Sequence, residues 1–518
     1  MMKIERALIS VTDKKGVSEL AGFLAAKGVE ILASGGTARA ITESGVEVTE
    51  VSGMTGFPEI MNGRVKTLHP RVHGGILADR SSPEHMKQAA ELGIGMIDLV
   101  VVNLYRFRDK VSEPGIAEEE AVEEIDIGGP TLIRSAAKNF KSVAVVVDPE
   151  DYGRVMKYLK EEGALPLEFR RELASKAFHH TAAYDTAISD YFEKIAGEGK
   201  FPEKKIISLS RWTPLRYGEN PHLEAALYRN DDRADIFSEF EQLQGKKLSY
   251  NNIGDMFAAF LLAADLGENG CAVNKHMSPC GAAVSSDTCS SFIRARKTDP
   301  MSAFGSIVAV NGIVDADLAE AANEGFVEVM LARGYTDGAR ELFSRKKNMR
   351  LILIPESEWE RDHSGVTVKF DGNLVLMQQR DTGFPELEDL NLVTSRKPEA
   401  NELKAMKLAW KVVKHVRSNA IVICDEEGTL GIGAGQMSRV DSCRIAVRKA
   451  ADAGLDLRGS SAGSDAFFPF PDGVRVLVDS GVVNVVQPGG SIRDKKVIEA
   501  AEEMGITMAL TGRRHFKH

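Results

Sequence analysis

The chain has 518 residues, of which 43% are hydrophobic and 27% charged, and its formal net charge is −10. The length is compatible with about three or four domains or subdomains, and the acidic balance argues against a protein that coats nucleic acid or an anionic membrane. The five cysteines form no Cys-x-x-Cys pair, so a zinc ribbon is not expected. A reduced, cytoplasmic protein is predicted instead. Neither a signal peptide nor a spanning helix is predicted, because the longest apolar run, Met256–Ala264, is too short.

The N-terminal part alternates between predicted strands and helices. Apolar, β-branched segments predict strands at Ala7–Val11, Val29–Ala33, Val46–Val51, Asp98–Leu104 and Ser142–Val147. Helical periodicity is present between them, as at Val17–Lys27, and a long amphipathic helix is predicted over Glu168–Ile195. This alternation predicts an α/β fold with a doubly wound parallel sheet. The polar segment 197–205 predicts a boundary between domains 1–197 and 206–518.

The second part is also α/β but less regular. Strands are predicted at Cys271–Asn274, Ser306–Val310, Leu351–Ile354, Leu374–Met377, Ala420–Cys424, Val482–Val486 and Thr507–Leu510, and helices at Glu402–Val416, Val440–Ala453 and Lys495–Gly505. A Lys-His strand end occurs in NKHMSPCG and, more weakly, in VKHVRSN. This recurrence hints at two related subdomains, with an internal boundary at about 365–400.

Two loops near the N-terminus have the chemistry of a phosphate site. The first predicted strand ends at Ser10 and is followed by Thr12, Asp13 and Lys14; the second runs into SGGT, which is Ser34, Gly35, Gly36 and Thr37. Glycines let the backbone approach an anion, and a helix N-terminus favours one. A plain turn explains a single Gly-Gly equally well. Two such loops at adjacent strand ends favour a ligand site.

The segment GRVKTLHPRVHGG at 63–75 is dense in basic and titratable side chains. Its glycines and proline predict an irregular loop, which either is solvated or holds a ligand. His69 and His73 have the i, i+4 spacing of metal ligands, but Pro70 disfavours a regular helix and the Glu of HExxH is missing. A metal site is therefore not expected.

Further along, NLY at 103–105 closes a strand, and DIGGPTLIRSAAKN at 126–139 begins a helix. Tyr105, Asp126 and Lys138 are suited to proton transfer around a heteroaromatic substrate. Asp126 is explained equally well as a helix cap, whereas Tyr105 alone is predicted to be a core residue rather than a catalyst.

In the second part, NKHMSPCG at 274–281 is the most informative motif. A fixed cation at Lys275 can stabilise an oxyanion, and His276 can take a proton from an attacking amine. A lone Lys-His pair is more often structural. The PCGA that follows resembles the PCxxC of zinc deaminases but lacks the second cysteine, so a zinc-activated water is not expected and Cys280 is predicted to be buried.

Taken in order, SVTDK, SGGT, GRVKTLHP, NLY and DIGGPTLIRSAAKN resemble the inosine monophosphate (IMP) cyclohydrolase domain of a bifunctional purine-biosynthesis family. In that family the domain is joined to a phosphoribosylaminoimidazolecarboxamide (AICAR) formyltransferase. The resemblance covers essentially the whole chain, through KAFHHTAAYDTAISDYF, MSAFGSIVAV, GIGAGQMSR, SDAFFPFPDG, QPGGSIRD and the final RRHFKH. It implies an N-terminal fold similar to methylglyoxal synthase and two C-terminal subdomains similar to cytidine deaminase.

The resemblance also assigns residues. For the cyclohydrolase it implies substrate contacts at Ser10, Thr12, Asp13, Lys14, Ser34, Gly35, Gly36, Thr37, Arg64, Val65, Thr67, Val102, Asn103 and Ile127, and a cyclising centre of Lys66, Tyr105, Asp126 and Lys138. For the formyltransferase it implies His276 as base, Lys275 as stabiliser and Asn252 as a positioning group. AICAR contacts are implied at Arg216, Tyr217, Gly305, Glu328, Asn419, Arg439, Phe467 and Arg514, and folate contacts at Val440, Asp472, Ser491 and Ile492.

The implied function is formylation of AICAR by 10-formyltetrahydrofolate, followed by cyclisation to IMP. The resemblance further implies a cytoplasmic homodimer without a transition metal, a monovalent cation as a further cofactor, and a C-terminal tail that folds back toward the active site. Leu223 and Glu328 depart from the family's usual Gln and Asp. Two alternatives are a nucleotide-binding regulatory protein without catalysis and a deaminase-like hydrolase.

Overall fold

The computed structural model of the protein describes residues 3–105, 107–113, 115–197, 199–231, 237–384, 387 and 390–518. Glu198, in the predicted domain boundary, and residues 385, 386, 388 and 389, in the predicted internal boundary, lie outside the described residues. The chain divides into two compact units, residues 1–208 and 209–518. Within the described residues, no helix is both long and apolar enough to cross a membrane.

The first unit is built on a five-stranded sheet in the order β3-β2-β1-β4-β5, in which every pair of neighbours is parallel. Its strands are β1 (Arg6–Val11), β2 (Glu30–Ala33), β3 (Thr49–Glu50), β4 (Leu99–Asn103) and β5 (Ala144–Val146). Its helices are α1 (Val17–Ala26), α2 (Gly35–Glu43), α3 (Val51–Thr55), α4 (Pro70–Leu77), α5 (Pro83–Glu91), α6 (Phe107–Val111), α7 (Glu118–Glu123), α8 (Gly128–Lys138), α9 (Tyr152–Glu161) and α10 (Leu167–Ala196).

Both faces of this sheet are covered by apolar cores. Along β1, Ile9 packs into one core and Leu8 into the core on the opposite face. Side chains alternate between the faces of a strand, so a strand buried on both sides is apolar throughout. The predicted doubly wound sheet is confirmed. The strand predicted at Val46–Val51 is shorter than expected, because Val51 enters the core from the start of α3 rather than from the sheet.

The second unit contains two six-stranded sheets and two hairpins. Its strands are β6 (Leu209–Pro214), β7 (Ala226–Asn230), β8 (Glu241–Gln244), β9 (Gly270–Lys275), β10 (Ser278–Val284), β11 (Ser306–Val314), β12 (Val327–Tyr335), β13 (Arg350–Leu353), β14 (Val366–Asp371), β15 (Leu374–Gln379), β16 (Asn391–Leu392), β17 (Ile421–Cys424), β18 (Thr429–Gly433), β19 (Ser461–Ser464), β20 (Asn484–Gln487) and β21 (Thr507–Leu510). Its helices are α11 (Tyr250–Leu266), α12 (Thr288–Lys297), α13 (Ala316–Asn323), α14 (Asp337–Ser344), α15 (Glu356–Glu360), α16 (Ala400–Val413), α17 (Arg439–Asp452), α18 (Asp472–Asp479) and α19 (Asp494–Glu503).

The two large sheets repeat one topology. Their orders are β10-β9-β11-β12-β13-β8 and β18-β17-β19-β20-β21-β16. In each sheet an antiparallel hairpin leads into three mutually parallel strands, and an antiparallel strand closes the far edge. Helices α11 and α16 precede the corresponding hairpins and share one core. The unit therefore consists of two related α/β subdomains.

The sequence motif that suggested this repeat was nevertheless misread. Lys275 and His276 do follow a strand, β9, but Lys414 and His415 follow helix α16. In the second sheet the position after β17 is occupied by Asp425. The two Lys-His pairs are therefore not equivalent. The strand order, rather than this motif, shows that the two subdomains are related.

The two sheets meet edge to edge. Ala283 of β10 forms an antiparallel bridge with Gly428 beside β18, and the Thr429 hydroxyl accepts a hydrogen bond of 2.9 Å from the Ala282 N–H. Because β10 and β18 run in opposite directions, the start of β10 and the end of β18 lie on the same side. The residues that follow β9 and those that follow β18 therefore face one common edge of the unit.

Candidate active sites

The first unit has a cavity of about 630 Å³ at the carboxyl edge of its parallel sheet. In register, Ile9 pairs with Ala33 and Val11 with Asn103, so β1, β2 and β4 end side by side. The cavity is lined by Ser10, Val11, Thr12, Lys14, Ser34, Gly35, Gly36, Thr37, Asn62, Gly63, Arg64, Lys66, Thr67, Leu68, Asn103, Tyr105, Val122, Glu123, Ile125, Asp126, Ile127, Gly128 and Gly129. Ligands of open parallel sheets bind at this edge.

The loop after β1 is fixed from both sides. The Asn103 side-chain oxygen accepts hydrogen bonds from the backbone N–H of Thr12 at 2.5 Å and of Asp13 at 3.0 Å. The buried Thr37 hydroxyl donates to Val11 O and accepts from Val11 N–H, so it anchors α2 to β1 rather than remaining free for a ligand. Partial burial lowers the pKa of Lys14, whose amine donates to Val11 O. The loop is thus rigid and carries a cation.

Two basic residues of the 63–75 segment face carboxylates across the cavity. The guanidinium of Arg64 pairs with Glu123 of α7, and the Lys66 amine lies 3.2 Å from the Glu59 carboxylate. The Lys66 amine also lies 3.7 Å from the position that a Cβ on Gly35 would occupy. An exposed ion pair contributes only about 0–1 kcal/mol to the stability of a protein. A phosphate can therefore replace either carboxylate at a small cost in free energy.

Asp126 sits at the N-terminus of α8 and both caps the helix and faces the cavity. Its carboxylate accepts a hydrogen bond of 2.8 Å from the Gly129 N–H. A side chain at Gly129 would collide with this carboxylate, since a Cβ there would lie 2.4 Å from Asp126 Oδ2. Burial raises the pKa of Asp126, while the Gly129 and Gly128 N–H groups and the charge of Lys66 act in the opposite direction.

The structure brings most of the predicted cyclohydrolase residues together. Tyr105 is 42% exposed and lines the cavity, so its interpretation as a core residue was wrong. Asp13, Val65, Val102 and Lys138 do not line it. Val102 is buried in the sheet, and Lys138 ends α8, whose length of 11 residues places it about 15 Å from the end that reaches the cavity.

The histidine segment also differs from the sequence interpretation. Helix α4 begins at Pro70, with His69 as its N-cap, so the second half of 63–75 is helical. Proline is favoured at the first position of a helix, where its missing N–H is not needed. His73 contacts Ser135 at 3.2 Å, and burial lowers its pKa. In the described part of the chain, no group of three or more His, Cys, Asp or Glu side chains could hold a metal ion.

In the second unit, Lys275 and His276 lie at the tight turn between β9 and β10. Lys275 pairs with Ser278, so His276 and Met277 form a two-residue turn with φ of 53° and 61°. Positive φ at both central residues is typical of the type I′ hairpin turn, which Asn and Gly usually occupy. Such strained conformations occur at functional sites. The Lys275 amine donates a hydrogen bond of 2.7 Å to Phe304 O.

Further predicted formyltransferase residues lie at the same sheet edge. Gly305 precedes β11 and Glu328 begins β12 beside it, with Ser306 and Val327 in register. Glu328 accepts hydrogen bonds from Asn252 of α11 and Arg350 of β13, each at 3.1 Å. The loop that carries Arg216 and Tyr217 is tied to the start of α11, since Arg216 N–H donates to Leu248 O.

The second subdomain contributes its predicted residues from the common edge. Arg439, at the start of α17, donates to Asn419 at 2.8 Å and pairs with the buried Asp465. Arg439 is itself buried. The Arg417 guanidinium approaches the Met277 sulfur at 3.9 Å, which places the segment 417–419 against the β9–β10 turn.

Loops after β19, β20 and β21 complete this edge. Phe467 follows β19, Asp472 begins α18, Ser491 and Ile492 follow β20, and Arg514 follows β21. Val440 lies in the first turn of α17. The C-terminal tail folds back as the resemblance implies: Ser418 and Lys517 exchange hydrogen bonds of 3.0 Å, and the His515 ring is buried against Trp410.

A second cavity of about 270 Å³ lies beside Lys275 and His276. Cys280, Thr298, Asp299, Ser302, Ile432, Ala434 and Lys449 are among the residues that line it, so it is formed by both subdomains. Cys280 is half-buried rather than buried, and burial of its thiol raises the pKa to about 12. A thiol with such a pKa stays protonated near neutral pH and is a poor metal ligand.

Comparison with known proteins gives two family matches along the chain. A family model described as AICARFT/IMPCHase bienzyme matches residues 136–449, and one described as MGS-like domain matches residues 16–131. Two curated relatives, from two strains of Leptospira biflexa serovar Patoc, are named bifunctional purine biosynthesis protein PurH. Each is 46% identical over 519 residues, and the match covers 100% of both chains.

The chain belongs to the AICARFT/IMPCHase bienzyme family. A solved structure titled "Crystal structure of ForH" is 38% identical to this bienzyme-family chain. The match covers 37% of this chain and 97% of that one, with a TM-score of 0.34.

Several residues that shape the two sites of this bienzyme-family chain were not predicted from the sequence. The Tyr184 hydroxyl of α10 accepts from Asp126 N–H at 2.8 Å and donates to Glu124 O at 3.2 Å, so it fixes the loop that carries Asp126. Arg350 and Asp465 likewise pair with the predicted residues Glu328 and Arg439, and Asp255 bonds to Met277 next to His276. Tyr184 belongs to KAFHHTAAYDTAISDYF, a motif that signalled the family without indicating which side chain reaches the site.

Proposed function

We propose that the protein is a bifunctional enzyme that formylates AICAR and then cyclises the formylated product to IMP with loss of water. The observation that carries the proposal is the pairing of cations with proton-transfer groups at two separate places. One is the cavity where Lys14, Lys66 and Asp126 converge; the other is the turn with Lys275 and His276. A chain of this family needs one such centre for each activity.

Formyl transfer uses the exposed edge of the second unit. The amine of AICAR attacks the formyl carbon, and the carbonyl oxygen becomes an oxyanion. Lys275 stabilises this charge, while His276 accepts the proton of the attacking amine. When the tetrahedral intermediate collapses, the bond from the formyl carbon to the donor nitrogen breaks and that nitrogen takes a proton. The Glu328–Arg350 pair and the loop carrying Arg216 hold the ribonucleotide beside the turn.

Cyclisation uses the cavity of the first unit. The phosphate binds at the loops after β1 and β2, where Lys14 and the N-terminus of α2 favour an anion. The carboxamide nitrogen attacks the formyl carbon, a C–N bond forms, and the formyl oxygen leaves as water. An amide nitrogen is a poor nucleophile, so holding the two groups together supplies much of the acceleration. Lys66, Tyr105 and Asp126 move the protons. Lys138, which the resemblance places in the cyclising centre, does not line the cavity.

The cosubstrate of the proposed reaction is 10-formyltetrahydrofolate, whose binding would involve Val440, Asp472, Ser491 and Ile492. Asp465 is a candidate anchor for a monovalent cation, because it is fully buried and its Oδ2 has no hydrogen-bond partner among the residues that the structure describes. Such an oxygen suits a cation, and binding of one would hold the segment around Arg439 in place. The proposal includes a cytoplasmic homodimer.

The decisive experiment for the donor offers AICAR with 10-formyltetrahydrofolate and, in parallel, with formate and ATP. We expect IMP from the first mixture and none from the second, as measured by chromatography. Supplied formylated AICAR serves as the control, because its cyclisation needs no donor. Product only from formate and ATP would contradict the folate assignment, and no product from any mixture would contradict the proposed function.

A further inference from the structure

Helix α11 presents two buried polar side chains to the edge that carries Lys275 and His276. The helix begins at a capping box, in which Ser249 and Asn252 satisfy each other's backbone N–H groups. Asn252 and Asp255 are three residues apart and therefore lie on one face of the helix. Asn252 is bonded to Glu328 at the start of β12, and Asp255, only 5% exposed, reaches the turn between β9 and β10.

The contact of Asp255 is specific. Its carboxylate oxygen Oδ1 accepts a short hydrogen bond from the backbone N–H of Met277. The Met277 side chain lies over the helix, since a Cβ on Gly254 would be 3.5 Å from its sulfur. The Arg417 guanidinium contacts the same sulfur from the other subdomain. Met277 is thus held by its backbone and by its side chain.

This restraint acts on a conformation that the chain would not otherwise favour. His276 and Met277 both have positive φ, and neither is Gly or Asn. Such a conformation is unfavourable for these residue types and persists only where the surroundings impose it. Within the described residues, the hydrogen bond that the Met277 N–H donates to Asp255 is the one bond between this turn and α11. Asp255 is therefore the side chain that imposes the turn from the helix side.

The charge of Asp255 also faces the proposed base. The charged groups around its carboxylate are His276 on the turn and Glu328 on β12, and Glu328 is itself paired with Arg350 of β13. Burial raises the pKa of Asp255; the Met277 N–H and the His276 charge act against this rise, and Glu328 adds to it.

We propose that Asp255 is a positioning residue for formyl transfer: it holds the His276–Met277 turn by accepting the hydrogen bond of the Met277 N–H. The inference rests on the proposed function, in which His276 is the base. It adds a residue that acts through His276 and touches neither substrate nor cosubstrate. The amide exchange of the turn tests it independently of any activity.

The test compares Asp255→Ala and Asp255→Asn with a matched control, Asp287→Asn. Asp287 is also a carboxylate that accepts a backbone N–H, from Ser290. It lies beyond the far end of β10, a strand of 7 residues, and so about 20 Å from the turn. For the full chain, three quantities are measured: the kcat of formyl transfer, the kcat of cyclisation, and the hydrogen-exchange rate of the Met277 amide.

Asp255→Ala should lower the kcat of formyl transfer by about 100-fold, since a misplacement of about 1 Å has that effect, and should expose the Met277 amide to exchange. Asp255→Asn keeps an acceptor oxygen, so the Met277 amide should stay protected. Formyl transfer in this variant should recover to within about tenfold of the unsubstituted chain, because the turn is still held. Cyclisation in all variants, and both activities of Asp287→Asn, should remain within twofold of the unsubstituted chain.

Two results would overturn the inference. One is unchanged exchange of the Met277 amide in Asp255→Ala; the other is a loss of formyl transfer in Asp255→Asn as large as that in Asp255→Ala. If Asp255→Ala also lost cyclisation through misfolding, the asparagine variant would decide the question. Failure of the unsubstituted protein to formylate AICAR would refute the proposed function, whereas the exchange result would still report on the turn.

Discussion

Substitution of Lys275 or His276 by alanine is expected to abolish formyl transfer while leaving cyclisation intact. Loss of one oxyanion-stabilising group lowers kcat by about 10²–10³-fold, and loss of a general base by about 10²–10⁴-fold. Both side chains lie at the β9–β10 turn of the second unit, and neither lines the cavity of the first unit. The measurement is the rate of each reaction in the purified variant, with AICAR as substrate for one and formylated AICAR for the other.

Lys297→Ala is a suitable control for this pair, because Lys297 is an exposed lysine at the last turn of α12 and lines neither cavity. It should retain both activities. If Lys275→Ala or His276→Ala lost cyclisation as well in a folded protein, the assignment of two separate sites would be refuted. Full formyl transfer in either variant would remove that residue from the mechanism.

The reverse pattern is expected from the first unit. Asp126→Ala or Lys66→Ala should lower cyclisation by about 10²–10⁴-fold, the contribution of general acid–base groups, and leave formyl transfer unchanged. The two side chains line the same cavity. Because burial raises the pKa of Asp126, its carboxylate takes up a proton at a higher pH than an ordinary aspartate. The rate of cyclisation should therefore decline on acidification at a higher pH than the one at which exposed aspartates take up protons.

Asp126→Asn separates charge from capping, since an asparagine side chain can still accept the Gly129 N–H hydrogen bond. We expect a stable protein with a large loss of cyclisation. A parallel substitution, Lys138→Ala, tests the residue that the family resemblance places in the cyclising centre. Since Lys138 lies outside the cavity in this chain, a loss of cyclisation in that variant as large as in Lys66→Ala would contradict the present assignment of proton transfer.

The first unit could be predicted well because its strands are short, apolar and buried on both faces. The phosphate loops were found for a related reason: in a parallel sheet, residues that follow adjacent strands must meet at one edge. Strand β12 was missed because Glu328 and Arg333 interrupt its apolar run. The hairpins β6–β7 and β14–β15 were incompletely predicted because they are largely exposed and lack a buried apolar side.

The supporting side chains could not be predicted from motifs. Tyr184 reaches Asp126 from 58 residues away along the chain, and Asp255 reaches Met277 from 22 residues away. Such contacts depend on how helices pack against strand ends, which local sequence patterns do not specify. The repeated Lys-His pair was misleading because a short local pattern can occur in different structures. One pair lies at a strand-end turn and the other at a helix end, and only the strand order distinguishes them.

The most direct test of the two-site account mixes Lys275→Ala with Asp126→Ala and supplies AICAR and 10-formyltetrahydrofolate. The first variant should cyclise but not formylate, and the second should formylate but not cyclise. The account predicts that neither variant alone produces IMP, whereas the mixture does, after a lag in which formylated AICAR accumulates in solution. A mixture that stays inactive, although each variant retains its own half-reaction, would contradict the claim that the chain carries two independent catalytic centres.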